Sequence, residues 1–398
     1  MTRDAIADQR ERDAALDLSR SFIVRAPAGS GKTSLLVGRF LQLLSTGIKP
    51  EEIVAITFTK KAAAEMRARV MEKLPAEIAP RLRIQTIDAL CASLTGRMPV
   101  LARFGAQPEV TEDATLLYQE AAARTLADVK APVARLLAHL DNNVPTATQL
   151  LADMLARRDQ WLRATGVAPT RKELELGLRF ERGRLLKKAR ELHPDASPAL
   201  AFDLLKKDKK WKAKAPESFK SIPGLEEMLG TLLILPPERY SAAQWEALEA
   251  ILALLNPAVA QLWIVFSERS LVDFTQVAHG ALAALGSEDA PTDLALSLDA
   301  AVKHLLVDEF QDTSNSQWEL LQRLTAGWQA DDGRSVFVVG DPMQSIYRFR
   351  DAQVGLFLRA CDEGLPSVKL VQLTLSTNFR SQGAIVDWVN RVFPSVLP

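Results

Sequence analysis

The chain has few residues of the kinds that build covalent or metal-held scaffolds. Among 398 residues there are two cysteines, Cys91 and Cys361, and four histidines, at positions 139, 193, 279 and 304. Two cysteines so far apart cannot make a disulfide framework or a cysteine zinc site, and the histidines form no ligand cluster. The composition therefore excludes these small scaffold classes and favours a reducing, cytoplasmic setting.

Long apolar runs and an excess of one charge are also missing. The N-terminus is charged from its third residue, and the longest apolar stretch, 251–266, is interrupted by Asn256, Pro257 and Gln261. These features predict neither a signal peptide nor a membrane span. Because 49 basic and 49 acidic residues cancel, nucleic-acid binding would have to rest on local features.

What is present is the composition of a globular protein of two or three domains, with 47% hydrophobic and 25% charged residues. Short apolar segments predict buried strands, and helical periodicity follows the first two of them. The segments are 22–26, 53–58, 82–86, 304–307 and 336–339. Their alternation with helices predicts an α/β fold.

The middle of the chain has a different pattern. Between about 108 and 265 long helical stretches replace the strand signals, which predicts an inserted helical domain. Within it, residues 179–220 contain 13 Lys or Arg against 6 Asp or Glu. This basic segment is either a solvated helical face or a site for phosphates.

A phosphate loop follows the first predicted strand. The string from Ala26 to Thr33 reads APAGSGKT and continues into a periodic helix, so its amides and the helix N-terminus predict a nucleotide site. Ala26 replaces the first glycine of the consensus, outside the turn that wraps the phosphates. Lys32 is expected to reach the terminal phosphates and Thr33 to bind Mg²⁺. The predicted contacts with ATP are Ala28, Gly29, Ser30, Gly31, Lys32, Thr33 and Ser34.

Two carboxylates follow the strand 304–307, in the string DEFQD. A phosphate loop that hydrolyses ATP needs a carboxylate for the metal and another to activate water. Asp308 is the predicted partner of Mg²⁺ through a water molecule, and Glu309 is the predicted general base. These residues lie far along the chain from Lys32, which fits a domain inserted into an ATPase core.

Six strings in order resemble one family. They read APAGSGKTS, AITFTKKAAAEMRARV, RIQTIDALC, LLVDEFQDTSNSQWELL, VFVVGDPMQSIYRFRDA and LTLSTNFRS. The chain resembles the UvrD/Rep-type superfamily 1 DNA helicases, and within them the AddA/RecB-like helicase-nucleases. The resemblance implies a RecA-like P-loop ATPase core with a parallel sheet and an inserted helical domain. It also implies ATP and Mg²⁺ as cofactors.

The resemblance adds residues to the nucleotide site. Gln9 matches a glutamine that contacts adenine, and Arg39 an arginine that borders the pocket, although it could equally be solvated on its helix. Gln344 matches a residue that senses the terminal phosphate. Arg380 matches an arginine that reaches the same phosphate, and Phe379 stands where the family often has a tyrosine that stacks on adenine.

The resemblance also implies a track for single-stranded DNA. Such tracks combine aromatic rings that stack on bases with polar contacts to the backbone. Phe58 and Phe349 match the stacking positions, although a phenylalanine at a strand end is more commonly a core residue. Thr57, Thr59 and Thr86 are expected to bond the backbone, and Tyr347 and Arg350 flank the same loop as Phe349.

These assignments imply four parts in the chain. Residues 1–107 and 266–372 would form the first motor domain, 108–265 the inserted helical domain, and 373–398 the start of a second motor domain. The expected activity is ATP-dependent, 3′ to 5′ movement on single strands and at junctions with duplex DNA. A nuclease would act with it, as a partner subunit or a C-terminal domain.

Two alternatives stay open at this point. An ATP-gated DNA-binding module would share every motif but would not unwind DNA. A phosphotransferase with the same loop is disfavoured, because it explains neither DEFQD nor NFRS. Since the family's second motor domain supplies a further arginine for hydrolysis, the 398 residues are predicted to be the N-terminal part of a longer protein. Alone they are expected to bind ATP and DNA weakly and neither to hydrolyse ATP quickly nor to unwind DNA.

Overall fold

The structure is a computed structural model that describes residues 6–102, 108–128, 130–162, 169–235, 237–287, 289–345 and 353–396. Its strands are β1 (Phe22–Arg25), β2 (Ile53–Thr57), β3 (Arg83–Thr86), β4 (Glu109–Val110), β5 (Leu271–Val272), β6 (His304–Val307), β7 (Ser335–Gly340) and β8 (Val371–Thr374). Its α-helices are α1 (Gln9–Ala15), α2 (Lys32–Ser45), α3 (Lys60–Met71), α4 (Ile87–Arg97), α5 (Thr115–Ala127), α6 (Ala131–His139), α7 (Val144–Ala156), α8 (Arg158–Trp161), α9 (Arg171–Leu192), α10 (Pro198–Leu204), α11 (Glu217–Lys220), α12 (Leu225–Leu233), α13 (Ala242–Arg269), α14 (Phe274–Leu285), α15 (Asp293–Ala301), α16 (Asn315–Leu324), α17 (Val354–Glu363) and α18 (Gly383–Val396).

A six-stranded parallel sheet organises the first part of the fold. Its order is β3-β2-β6-β7-β1-β8, and each neighbouring pair runs parallel. All residues of β2, β6 and β7 are buried, which is why these strands read as continuous apolar runs rather than alternating ones. The predicted α/β class, with its five strands, is confirmed.

Helix α2 follows the sheet because its apolar side chains recur with helical spacing. Leu36, Phe40 and Leu43 are buried in one core cluster with Phe22 of β1 and Phe337 of β7. The rings of Phe22 and Phe337 meet edge to face, with centroids 6.4 Å apart. This packing holds the start of α2 at the end of β1, where the glycine-rich loop lies.

The β3 edge of the sheet is covered by one arginine. Arg67, on α3, donates from its guanidinium to the carbonyl of Ala79 at 3.0 Å and to those of Leu82 at 3.0 Å and Ile84 at 3.3 Å. Leu82 and Ile84 are alternate residues, so their carbonyls face the same side of the strand. Arg67 therefore satisfies carbonyls that would otherwise be left open at this edge.

Strand β8 was not among the predicted strands. Its four residues alternate between half-buried and exposed positions, and Gln372 and Thr374 are polar. A strand at the edge of the sheet needs only one buried face, so its sequence lacks the apolar run that marks the other strands. It pairs with β1 and carries the chain to residues 375–382.

A segment from the middle of the chain, residues 156–161, belongs to the same compact unit as the sheet. Arg158 is fully buried and donates to both carboxylate oxygens of Asp273, at 2.7 and 2.5 Å, while the Tyr118 hydroxyl donates to the same carboxylate. The next residue, Asp159, accepts from the amide of Ser316 at 3.2 Å. Two successive buried charges therefore attach this segment to the unit.

The chain forms two compact units. The first comprises residues 1–118, 156–161 and 262–382 and contains the sheet. The second comprises 119–155, 162–261 and 383–398, and its described residues are mostly helical. One core of the second unit gathers small and aliphatic side chains from α9 to α12, including Ala189, Ala201, Leu225, Leu229 and Leu232.

Among the helices that the structure describes, one has the length and apolar character of a membrane span. It is α13, and 44% of its most apolar window is buried inside the protein. Burial of that kind is found in core helices of globular proteins, so this helix is weak evidence for a membrane.

Candidate nucleotide site and DNA-contacting residues

The predicted phosphate loop is a tight turn between β1 and α2. Gly29 and Gly31 have φ angles of 79° and 82°, in the left-handed region, and α2 begins at Lys32 with Gly31 as its N-cap. The helix therefore points its free amides and the positive end of its dipole at the turn. The hydroxyl of Ser30 is buried and has no hydrogen-bond partner within the described residues, which suits a loop that closes on a polar ligand.

Lys32 and Glu309 meet although 277 positions separate them. The ammonium Nζ of Lys32 lies 3.1 Å from Oε2 of Glu309. They come together because β1 and β6 both pair in parallel with β7, so the loops that follow them leave the same edge of the sheet. The structure thus unites the lysine and the carboxylate that the sequence assigned to phosphate binding and proton transfer.

The neighbouring carboxylate, Asp308, lies in a different environment. Its side chain is buried, and burial together with the negative charge of Glu309 raises the pKa of Asp308 to about 6. Such a carboxyl is stabilised in its charged form by a nearby cation. This donor chemistry fits Mg²⁺.

A metal at this position would need ligands beyond the protein. Over the described ranges, no three side chains of His, Cys, Asp or Glu gather into a group that could hold a metal ion. Thr33, in the first turn of α2, would contribute its hydroxyl oxygen, and Asp308 would act through a bound water. Oxygens of a bound nucleotide and water would complete the shell, which is the usual arrangement for Mg²⁺.

The segment after β8 reaches the same loop. The amide of Phe379 donates to the carbonyl of Gly29 at 2.8 Å. A side chain at Gly29 would bring its Cβ to 2.4 Å from Oδ1 of Asn378 and 2.9 Å from Cβ of Arg380. Glycine is therefore required here by close approach as well as by its φ angle. The structure brings Phe379 and Arg380 to the loop, as the motifs predict.

Asp8 and Arg12 also belong to this site, and the sequence reasoning missed both. Asp8 accepts the backbone amides of Ser376 and Thr377 at 2.7 and 2.9 Å and the Arg12 guanidinium at 2.8 Å. Arg12 donates in turn to the carbonyl of Ser30 at 2.8 Å. Helix α1 thus connects the segment after β8 to the phosphate loop. The spacing of Asp8 and Arg12, four apart on one helix, was the available signal.

The bonds to Asp8 outweigh its burial. Burial alone would raise the pKa of the Asp8 carboxyl. The hydrogen bonds from Arg12 and from the backbone and hydroxyl of Thr377 lower it by a larger amount, so the pKa lies well below its ordinary value. Asp8 is therefore charged at neutral pH. The Arg12 guanidinium also lies over the ring of Phe379, 4.8 Å from its centroid.

Two of the predicted nucleotide contacts have other partners. Gln9 is exposed and its amide donates to Asp13 at 2.7 Å, so its contact with adenine stays a prediction. Arg39 requires a correction. It is fully buried, and its guanidinium donates to the carbonyls of Ala15, Asp17 and Arg20 at 2.6 to 2.8 Å. Arg39 is neither at the loop nor solvated: it ties the N-terminal segment to α2.

Gln344 lies on the loop after β7. Its amide donates to the carboxylate of Asp341, three residues earlier. The amide of Asp341 donates in turn to the side chain of Gln311 at 2.9 Å. Gln311, in the DEFQD string, was not among the predicted site residues, and it connects the loops that follow β6 and β7.

The threonines predicted to bond DNA have local partners. The hydroxyl oxygens of Thr59 and Thr86 accept from the amides three residues on, each at 3.1 Å, and so cap α3 and α4. Their contact with DNA stays a prediction. Thr57 is 1% exposed and donates to the carbonyl of Thr59. Thr57 is therefore corrected to a structural residue.

Phe58 lies beside a cavity of about 250 Å³ in the first unit. The cavity is lined by aromatic and polar side chains, among them Phe58, Asp88, Tyr118, Phe274 and Gln317. Tyr347, Phe349 and Arg350 lie outside the described residues.

Comparison with known proteins identifies the family of the chain. Residues 7–363 match the family model of the UvrD/REP helicase N-terminal domain. The chain is 28% identical to an ATP-dependent helicase/nuclease subunit from Exiguobacterium sibiricum, over 97% of the chain and 40% of that protein. It is 26% identical to the protein of the same name from Limosilactobacillus fermentum, over 98% of the chain and 37% of that protein.

A third relative matches more closely over a shorter part. The helicase/nuclease protein of the same name from Desulfitobacterium hafniense is 37% identical over 136 residues, which are 33% of the chain and 10% of that protein. The chain spans at most 40% of the length of these relatives. Because the family model covers most of the chain, as the six motifs predict, the chain belongs to the UvrD/REP helicase N-terminal domain family, with a RecA-like α/β core.

Proposed function

We propose that this chain is part of the ATP-hydrolysing motor of a DNA helicase that moves along single-stranded DNA. The observation that carries the proposal is the pairing of Lys32 with Glu309 at 3.1 Å. It combines a phosphate-loop lysine and a candidate base in one site, at the edge of a parallel sheet. The helicase/nuclease names of the relatives support the same function.

ATP and Mg²⁺ would provide the phosphoryl group and the charge that neutralises it during transfer to water. The amides from Gly29 to Lys32 would hold the phosphates. Thr33 and Asp308 would hold the metal. The positive charge of Mg²⁺ would then offset the cost of keeping the ionised Asp308 carboxylate buried. Phe379 would support the adenine by stacking, and Arg380 would reach the terminal phosphate from the segment after β8.

Glu309 would act when Lys32 turns away from it. A phosphate beside the lysine competes with the carboxylate for the same ammonium, so nucleotide binding would release Oε2 of Glu309. The freed carboxylate could then accept a proton from the attacking water. In this proposal the ion pair seen at 3.1 Å is the resting arrangement of the site.

The DNA track would run past Phe58, whose ring borders a cavity, and past the predicted residues Tyr347, Phe349 and Arg350. Residues 1–107 and 266–372 would form the first motor domain, with 373–398 leading into a second. The basic segment 179–220, in the inserted domain, would contact duplex phosphates. By family resemblance the direction is 3′ to 5′, the location is cytoplasmic, and a nuclease acts with the motor from a further domain or a partner chain.

The test is the rate of ATP hydrolysis by the full gene product with and without single-stranded oligonucleotides. We expect strong stimulation by single strands and separation of duplexes that carry a 3′ tail. Lys32→Ala should abolish ATP binding, because the loop loses its cation. Turnover that ignores DNA, or unchanged ATP affinity in Lys32→Ala, would contradict the proposal. Stimulated turnover without strand separation would favour an ATP-gated DNA-binding module.

The contribution of Phe58 is tested separately. Phe58→Ala should weaken single-strand binding by about 1 to 3 kcal/mol, the range for one lost base stack, with ATP affinity unchanged. Binding should also weaken as salt is added. If the variant unfolds at ambient temperature, the ring is a core residue and the stacking assignment fails.

A further inference from the structure

Gln311 lies between the candidate general base and the loop after β7. Its side chain is 1% exposed. The amide nitrogen donates to Oε2 of Glu309 at 2.8 Å and to Oδ2 of Asp312 at 3.2 Å. The amide oxygen accepts from the backbone N–H of Asp341 at 2.9 Å. One buried side chain therefore holds a catalytic candidate on one side and a loop on the other.

These partners fix which way the amide points. A glutamine amide has two N–H donors on one atom and an acceptor on the other. With the opposite orientation, the oxygen would face the carboxylates of Glu309 and Asp312, and the NH₂ would face a backbone N–H. Both contacts would be repulsive. The side chain is thus held in one orientation by groups from both loops.

The end of β7 is shaped to admit Gln311. A Cβ on Gly340 would come within 2.6 Å of the Gln311 amide oxygen and 2.8 Å of the ring of Phe357. Any other residue at position 340 would therefore push the amide away. The carbonyl of Gly340 accepts from the amide of Ala26 at 3.0 Å, at the start of the phosphate loop.

The loop from Asp341 to Ser345 is connected to the DEFQD string at more than one point. Besides the Asp341 amide, the hydroxyl of Ser345 donates to the Asp312 carboxylate at 3.0 Å. A displacement of the loop would therefore move the Gln311 side chain, and with it the carboxylate of Glu309.

Glu309 is sensitive to such a displacement. Its backbone has φ 49° and ψ 43°, a left-handed conformation that is unfavourable for a residue with a Cβ. The side chain is held by Lys32 on one side and Gln311 on the other. If Lys32 turns to a phosphate, Gln311 keeps its hold on the carboxylate.

We infer that Gln311 is a positioning residue that couples the loop from Asp341 to Ser345 to the carboxylate of Glu309. The inference rests on the proposed function, since it assigns Glu309 to proton transfer. The loop would set the Gln311 amide, and the amide would aim Glu309 at water.

The test compares Gln311→Met with Gln276→Met in the full gene product. Both replace a buried glutamine of the first unit by a side chain of similar size, and the Gln276 amide oxygen accepts from Trp263 at 3.2 Å, in α13. Gln311→Met should lower the DNA-stimulated kcat for ATP by about tenfold to 100-fold, because a misplaced base loses its alignment. The KM for ATP should stay within about twofold.

Gln276→Met should keep the stimulation of kcat by DNA even if its thermal stability falls as much as that of Gln311→Met. A merely structural role for Gln311 would instead lower both variants alike, or raise KM without changing kcat. A second readout is the double variant with Glu309→Gln. If Gln311 acts through Glu309, its substitution should then change kcat little further. Full additivity of the two losses would overturn the coupling.

A wild-type protein whose turnover ignores DNA would contradict the proposed function rather than this inference. In that case the basal kcat decides. A basal loss of at least about tenfold in Gln311→Met, absent in Gln276→Met, would uphold the positioning of Glu309. An unchanged basal kcat would overturn it.

Discussion

A buried ion pair in the first compact unit and an exposed ion pair in the second make different demands on the fold. In the first unit, Arg158 is fully buried and is held by Asp273, 115 positions away. In the second unit, Glu181 and Arg184 form a pair three residues apart on α9, with about half of each side chain exposed. The first arrangement exists only when distant segments are folded together, whereas the second requires a single helical turn.

The difference teaches where sequence changes should matter. A buried charge whose partner is removed keeps its desolvation cost, while an exposed charge is solvated by water instead. Stability should therefore respond strongly to the loss of a buried pair such as Arg158 with Asp273, and weakly to the loss of an exposed pair such as Glu181 with Arg184. Four measurements, in decreasing order of expected effect, test this contrast.

The largest effect is expected from Arg158→Met. It leaves the Asp273 carboxylate and the Tyr118 hydroxyl buried without their cation, which should lower the free energy of unfolding of the first unit by about 3 to 5 kcal/mol. Urea denaturation followed by circular dichroism measures the change. A loss below about 1 kcal/mol would remove the distinction between the units.

Next comes Glu309→Gln, which keeps the shape of the side chain but cannot take up a proton. In the full gene product kcat should fall by roughly 100-fold or more, equivalent to about 2.7 kcal/mol, while ATP still binds. Glu363→Gln, which alters an exposed pair with Arg359, is the matched control and should leave kcat unchanged. Near-normal turnover in Glu309→Gln would exclude Glu309 as the base.

A smaller effect is expected from acid. His304 is buried in β6, and burial followed by the charge of Arg39 lowers its pKa to about 4. Between pH 6.5 and 4 the His304 side chain is protonated in the unfolded chain but stays neutral in the folded protein. The free energy of unfolding therefore falls as pH falls through this window. The first unit should lose about 2 kcal/mol of stability between pH 7 and 5 from this residue alone.

The matched variants are His304→Leu and His193→Leu. His193 packs on Phe219 in the second unit, with ring centroids 4.6 Å apart. Thermal unfolding from pH 7 to 5 should show a flatter pH dependence of the first unit in His304→Leu only. An identical pH dependence in wild type and His304→Leu would show that His304 titrates without consequence.

The smallest effect is expected from Arg184→Met, which removes the exposed pair with Glu181 on α9. Such pairs contribute about 0 to 1 kcal/mol. Urea titration of the second unit, measured alongside Arg158→Met, gives the direct contrast. A loss above about 2 kcal/mol would mean that surface pairs of the helical unit stabilise it as much as buried ones do the first.

Much of the site could be predicted because parallel strands leave one edge in common. The apolar runs of β1 and β6 located the loops that follow them, and Lys32 and Glu309 then had to lie near one another. The glycines of the phosphate loop were readable for a local reason, since the turn needs a left-handed backbone at Gly29.

Other features depend on contacts that no local pattern records. Asp8 is joined to Thr377 across 369 positions, and Gln311 to Asp341 across 30. Arg39 was wrongly predicted because an arginine on a helix is usually solvated or bound to a ligand. Arg39 is buried because its guanidinium binds carbonyls that the N-terminal segment presents to α2. The helical periodicity of the sequence does not indicate these contacts.

Arg67 gives the sheet a defined end. An open edge of a parallel sheet is a template on which a strand from another molecule can add, and long buried strands make that addition favourable. By donating to the carbonyls of Leu82 and Ile84, the guanidinium occupies acceptors that an incoming strand would use. A strand that paired at this edge would first have to displace the Arg67 guanidinium from both carbonyls.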